Sequence, residues 1–139
     1  MKIVFLGLND VGKKIYDWLV ENGEEVIALI TEKEDLEKIK YLSPDIIISG
    51  GFRHIIPKEI LDIPKLGAIN FHKALLPHNR GANPNVWTIL EDTPAGITIH
   101  LMDEGIDSGP VLAQKEINYG FEDDAGSLYE KLEVEQFNL

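Results

Sequence analysis

Apolar residues along this chain fall into two alternating rhythms. Residues 2–6, KIVFL, form a continuous run ending at Gly7, the pattern of a strand covered on both faces. Val11, Ile15, Trp18, Leu19 and Asn22 then recur at helical spacing, and Asn22-Gly23 closes that segment as a helix stop. VIALI at 26–30 repeats the buried-strand pattern. TEKEDLEKIKYL, 31–42, reads as a second, heavily charged helix with Leu36, Ile39 and Leu42 turned inward, ended by Ser43-Pro44. DIII at 45–48 predicts a third strand. After Gly50-Gly51 comes a loop through Pro57 and a short helical turn at 58–61, and GAINF at 67–71 is a fourth strand.

Asn83-Pro84 has the form of an N-cap and first helical residue, predicting a helix from Pro84 to Leu90. AGITIHLM, 95–102, alternates strictly and predicts a half-exposed strand. PVLAQKEI, 110–117, can pair with it through the turn DEGIDSG. A last helix begins near Asp124 and carries Leu128 and Leu132. Strand–helix alternation points to an α/β fold with a mostly parallel sheet flanked by helices, and the last strands add an antiparallel or mixed region. At 139 residues the expectation is one domain.

Composition narrows the function. No stretch approaches the roughly 18 consecutive apolar residues of a membrane span, and the N-terminal run is too short for a signal peptide, so a cytoplasmic protein is the default. The absence of cysteine excludes disulfides, thiolate metal sites and cysteine nucleophiles. With 13 basic against 24 acidic residues the net charge is −11, which disfavours nucleic acid, whose binding rests on neutralising phosphates. A local basic pocket for one small anion stays compatible with that balance.

Four stretches carry candidate chemistry. GLNDVG, Gly7 to Gly12, resembles G-x-G-x-x-G with Asn9 at the middle glycine, where backbone must approach a pyrophosphate; a plain strand-to-helix turn explains it equally well. SGGFRHIIP, 49–57, offers two glycines for close approach to a flat ligand, with His54 read first as a surface or capping residue. In NFHKALLPHNRGANPN, 70–85, Asn70 and His72 stand two apart at a strand end, so both side chains can enter one crevice. An amide donor beside an imidazole suits acyl transfer, one stabilising an oxyanion and the other moving a proton. In MDEGIDSGP, 102–110, Asp103 and Glu104 read as solvated turn residues. Asp107 sits in a tighter turn, where a carboxylate near His72 would raise the histidine's pKa and fix its tautomer.

NFHKALLPHNRGANPNVW followed by GITIHLMDEGIDSGPVLAQ resembles the formyl transferase family, over roughly residues 1–132 and most densely at 70–114. The resemblance implies a Rossmann-like formyltransferase fold and transfer of a formyl group from N10-formyltetrahydrofolate, a co-substrate, to a primary amine, with no metal. It assigns Asn70, His72 and Asp107 to catalysis. Phe52, Arg53, His54, Ile55 and Ile56, with Met102, Asp103, Glu104 and Gly105, would enclose the folate. Gly7, Asn9, Asp10, Arg80, Gly81, Asn83 and Pro84 would shape the amine side. The wording is most similar to the branch acting on nucleotide-linked amino sugars; glycinamide ribonucleotide and methionyl-tRNA are the alternative acceptors. The implied partner is a small-molecule amine, and a homo-oligomer stays open. Residues 1–139 are expected to form a single catalytic domain, shortened between the second and third strands and without a C-terminal accessory domain. Two other classes stand beside this: an oxidoreductase using GLNDVG with Glu32 at a ribose, and a non-catalytic domain binding folate or a partner protein.

Overall fold

The computed structural model describes residues 1–139. The elements in chain order are β1 (Lys2–Leu6), α1 (Asp10–Glu21), β2 (Glu25–Ile30), a 3-10 segment (Lys33–Tyr41), β3 (Ile46–Ser49), α2 (Lys58–Leu61), β4 (Ala68–His72), α3 (Pro84–Glu91), β5 (Ala95–Leu101), β6 (Val111–Ile117) and α4 (Ala125–Asn138). One six-stranded sheet runs in the order β2-β1-β3-β4-β5-β6. β1 pairs in parallel with β2 and β3, and β3 with β4. β5 and β6 turn antiparallel.

The unbroken apolar run of β1 is used on both faces. Val4 and Leu6 join Leu36, Ile39, Ile47 and Ile60 on one side, while Ile3 and Phe5 join Val11, Ile15, Leu19 and Ile48 beneath α1 on the other. A third cluster, Ala95, Ile97, Leu128 and Leu132, fixes α4 to β5. Asp124 caps α4 through a capping box with Ser127.

Five expectations change. β2 is an edge strand rather than a buried one, and Leu29 is 39% exposed. Trp18 sits on the outer face of α1, half exposed. Residues 33–41 wind as a 3-10 helix, whose three-residue turn stacks positions i and i+3. That period explains the local pattern: Leu36 and Ile39 are both buried, and the ion pairs Lys38–Asp35 at 2.8 Å and Lys40–Glu37 at 2.6 Å also stand three apart. Asn83 precedes Pro84 at the start of α3 but is left-handed (φ 53°) and makes no side-chain cap bond.

β5 departs most instructively. Its alternation predicts a solvent-facing side, yet Ala95, Gly96, Ile97, Thr98 and His100 are all buried. The polar side is roofed by the segment after β4: Thr98 Oγ1 donates to Ala74 O at 2.7 Å and accepts from Leu76 N at 3.2 Å. Gln114 of β6 donates to Leu76 O at 2.8 Å and to Thr98 Oγ1 at 3.0 Å. The alternation is genuine, but one face meets a polar interior instead of water.

Candidate active site

Strand alternation sends Asn70 and His72 to one face of the sheet at the end of β4. The antiparallel register of β5 sets His100 opposite Asn70 and Thr98 opposite His72, on that same face. Asp107, in the turn after β5, completes the cluster. Its Oδ2 accepts from the Gly81 N–H at 2.9 Å and lies 3.5 Å from His72 Nδ1. Its Oδ1 lies 3.3 Å from His100 Nε2 and 3.5 Å from Asn70 Nδ2. One carboxylate therefore faces both imidazoles and the amide. Its backbone is left-handed (φ 51°), an uncommon conformation for a residue with a side chain and one that clusters at functional sites.

The segment between β4 and α3 is tied down from several directions. Besides the bonds to Thr98 and Gln114, Asn79 donates to Thr88 Oγ1 at 2.9 Å and to Thr93 Oγ1 at 2.7 Å. The Asn79 carbonyl lies 2.9 Å from His72 Nε2 and must accept from it. In neutral His72 the lone pair then sits on Nδ1, toward Asp107. His100 Nδ1 likewise donates to Leu101 O at 2.8 Å, leaving Nε2 for the carboxylate.

The three titrating groups are pushed apart. Burial lowers the pKa of His72 below the ordinary imidazole value, and the charge of Asp107 and the bond to Asn79 only partly offset it. Burial would also lower His100, but its bonds to Asp107 and to the Leu101 carbonyl outweigh it and the pKa rises. Burial would raise Asp107; the His100 bond, the His72 charge and the Gly81 N–H overcome it, and the carboxyl is held below its ordinary value. Asp107 thus favours the charged form of His100, while burial favours the neutral form of His72.

These groups form part of the wall of a crevice of about 700 Å³, within the range of sites for medium-sized organic ligands. Its position at the carboxyl ends of the parallel strands is the usual ligand site of open α/β sheets. Phe52, Arg53, His54, Ile55, Ile56, Met102, Asp103 and Gly105 line it; Glu104 does not, and is exposed in its turn. A smaller cavity of about 200 Å³ adjoins it on the α4 side and shares His72, Gly51, Asn9, Gly81 and Asn83 with it. Pro84 lines only the smaller cavity, and Gly7, Asp10 and Arg80 line neither.

The glycines of GLNDVG have a packing role. Gly7 is left-handed, and a Cβ on it would stand 2.4 Å from Phe52 N; on Gly12, a Cβ would stand 2.2 Å from Gly50 O. Asn9 caps α1, accepting from Gly12 N at 2.7 Å, and its own N–H reaches Gly50 O at 3.4 Å. Two of the four free N–H groups at this helix start are thus taken within the chain. The residues that sequence reasoning missed are His100, hidden in the alternation of β5, and Lys73, Tyr129 and Gln136, which line the smaller cavity.

Together the sheet order and this sheet-end crevice define an open α/β protein with a ligand site at the carboxyl ends of its parallel strands. A sequence profile described as formyl transferase matches residues 31–138, and the chain belongs to that family. It is 33% identical to the methionyl-tRNA formyltransferase of Clostridioides difficile over 95% of its own length and 54% of that protein. The chain spans about half the length of the curated relatives it matches.

Among solved structures it resembles the formyltransferase PseJ from Anoxybacillus kamchatkensis, in complex with UDP-4,6-dideoxy-4-formamido-L-AltNAc and tetrahydrofolate. The TM-score is 0.84 at 37% identity, over 99% of this chain and 71% of that one. Phosphoribosylglycinamide formyltransferase from Bacillus halodurans shares the fold, with a TM-score of 0.88 at 20% identity over 100% of this chain and 91% of that one. No helix is long and apolar enough to cross a membrane.

Proposed function

We propose that this chain transfers a formyl group from N10-formyltetrahydrofolate to a primary amine carried on a nucleotide-linked amino sugar. The observation that carries the reading is the meeting of Asn70, His72 and Asp107 on one crevice wall, where Asp107 reaches both side chains at 3.5 Å. The crevice fits the co-substrate: Phe52, Ile55, Ile56 and Met102 in its lining offer a flat ring apolar surface, and Asn70, His72 and Asp107 share that lining. When bound, the co-substrate supplies an activated one-carbon acyl group.

The chain's own groups do the rest. Asn70 Nδ2 has only long contacts, 3.4 Å to His100 Nε2 and 3.5 Å to Asp107 Oδ1, so its N–H groups are available to the formyl oxygen as negative charge develops there. His72, kept neutral by burial, offers Nδ1 as the base for the proton the amine loses. Asp107 stabilises that proton from 3.5 Å, while His100 holds the carboxylate in place. The direct test is incubation with N10-formyltetrahydrofolate and a panel of amines, following release of tetrahydrofolate. No turnover with any amine, together with an Asn70→Ala variant that behaves as wild type, would refute the reading.

The choice of amine rests on likeness to PseJ, whose bound product is a formamido sugar nucleotide. Methionyl-tRNA is the competing acceptor, since the matched curated relatives act on it by name. The net charge of −11 speaks against a polyanion the size of tRNA. Parallel assays with the two acceptors separate them.

A further inference from the structure

Neutral His72 carries one N–H, and two acceptors stand ready for it. The Asn79 carbonyl lies 2.9 Å from Nε2, and Asp107 Oδ2 lies 3.5 Å from Nδ1. Whichever takes the proton leaves the lone pair, and with it the base, on the opposite nitrogen. A carboxylate is the stronger acceptor of the two. The ring is 7% exposed, so bulk water does not level that competition. The neutral carbonyl wins by distance. A retreat of about half an ångström would take it to the outer limit of a hydrogen bond, level with Asp107. What fixes that carbonyl therefore fixes the chemistry of the ring.

Asn79 lies outside any helix or strand, with a left-handed backbone (φ 54°). Its side chain is fully engaged on the donor side. The two N–H groups of the amide go to Thr88 Oγ1 at 2.9 Å and Thr93 Oγ1 at 2.7 Å. Those acceptors are themselves fixed. Thr88, on α3, is 1% exposed and its own O–H goes to Pro84 O at 2.8 Å, so only its lone pairs face Asn79. Thr93 N donates to Thr88 O at 3.1 Å. Tyr119, beyond β6, shares its O–H between Thr93 O at 2.8 Å and Thr88 O at 3.2 Å. The two threonines form one unit, braced from behind by Tyr119. Glycine, aspartate and asparagine visit a left-handed backbone most readily, and of these only asparagine offers two N–H groups to two lone pairs.

We infer that the Asn79 side chain, clamped between Thr88 and Thr93 and braced by Tyr119, is a tautomer selector for His72. It holds the Asn79 carbonyl on Nε2 against the pull of Asp107, and so keeps the Nδ1 lone pair free to act as the base. Asn79, Thr88, Thr93 and Tyr119 are positioning residues: none of them lines the crevice or the smaller cavity beside it. For what the base does, this rests on the formyl-transfer reading above; it adds the groups outside the site that decide which nitrogen serves. With the clamp released the carbonyl recedes, the proton moves to Nδ1 facing Asp107, and the lone pair passes to Nε2 on the side of the loop after β4.

The test uses the full chain with isotopically labelled histidine and long-range proton–nitrogen spectra at about pH 8, where His72 is neutral because its pKa lies below 6.5. Such spectra tell a protonated ring nitrogen from one bearing a lone pair, and the His72 signals are those missing from His72→Gln. Wild type is expected to show Nε2–H with the lone pair on Nδ1. Asn79→Gly keeps the left-handed backbone and its carbonyl but loses the clamp; Thr93→Val removes one acceptor. Both are expected to move the proton to Nδ1 in a measurable share of molecules. Their kcat should fall about tenfold, the worth of one hydrogen bond, with KM for folate and amine within about twofold of wild type. Thr93→Ser, which restores the hydroxyl, should restore both readouts. Thr93 is only half buried, so Thr93→Val keeps the test open should Asn79→Gly fail to fold. A role in stability alone would lower Tm without moving the proton. A wild-type tautomer retained in the variants therefore overturns the inference, as does Nδ1–H in wild type or a shifted tautomer with unchanged kcat. If the tautomer shifts as expected but wild type transfers formyl to no amine, the selector stands and the reaction assignment falls.

Discussion

Asp107→Asn probes the centre of the cluster by changing one oxygen to an amino group. Asp107 and His72 Nδ1 stand 3.5 Å apart and are both largely buried. At an effective dielectric near 20, a unit charge pair at that distance is worth about 5 kcal/mol before solvent relaxation. Breaking a buried pair typically costs about 3–5 kcal/mol, so we take about 3 kcal/mol as the net loss whenever His72 carries a proton. That corresponds to a fall in kcat of about 10²-fold, with folate binding little changed.

Stability should fall much less. The asparagine oxygen can still accept from Gly81 N–H, and its amino group can donate to a neutral His100 Nε2, so about 1–2 kcal/mol of charge assistance is lost, or a Tm lower by about 5 °C. The sign of its pH dependence is fixed by two opposite shifts. The carboxyl of Asp107 is lowered from 3.8, so its contribution is present above that value and disappears as pH falls through the folded pKa. The imidazole of His100 is raised from 6.5, so its contribution is complete below 6.5 and disappears as pH rises through its folded pKa. The stability gap between wild type and Asp107→Asn should therefore be widest between about pH 4 and 6.5 and narrow above. Calorimetric melts across pH 3–9 and kcat at pH 7 check both halves. A kcat within threefold of wild type, or a gap that widens with pH above 6.5, refutes the picture.

The remaining expectations are more local. Asn70→Ala should reduce kcat by about 10²–10³, as removal of one oxyanion donor does, with the dissociation constant for the folate unchanged by fluorescence titration. In wild type, kcat/KM should decline as pH drops through the His72 pKa, which lies below 6.5, because the base becomes protonated, and the residual activity of His72→Ala should lack that limb; a limb that survives the substitution would count against His72 as that base. Thr98→Val should lower stability in urea titration by about 2–4 kcal/mol, since the Leu76 N–H, the Ala74 carbonyl and the Gln114 amide all lose a buried partner. Leu132→Ala, at 0% exposure in the cluster that fixes α4, should cost about 2–5 kcal/mol by the same measure.

The fold was readable wherever burial leaves a periodic mark. β1 shows an unbroken apolar run because Val4 and Leu6 face one core and Ile3 and Phe5 the other, and Leu128 and Leu132 marked α4 for the same reason. The same signal misled at β2, because a strand at a sheet edge can be as apolar as a central one; which strands have two neighbours is decided by the order β2-β1-β3-β4-β5-β6, a property of long-range pairing. Between β2 and β3 the spacing of three between Leu36 and Ile39 was in plain view, but it also fits an α-helix, and packing settled it as 3-10.

For the site, Asn70 and His72 were legible as a pair because strand geometry alone puts positions two apart on one face. Asp107 was legible only as a residue in a tight turn; its contacts with both imidazoles and the Gly81 N–H depend on how the turn after β5 folds back against the loop after β4. His100 was hidden for a different reason. A polar residue on alternate positions of a strand reads as facing water, and nothing local to GITIHLM distinguishes water from a roof of polar backbone. That roof is the segment 74–81, held over β5 by Thr98 and Gln114. The conformational restriction of that segment therefore serves two ends at once: it encloses a polar layer in which an ion pair between His100 and Asp107 can persist, and it brings the Asn79 carbonyl to His72, fixing which nitrogen carries the lone pair.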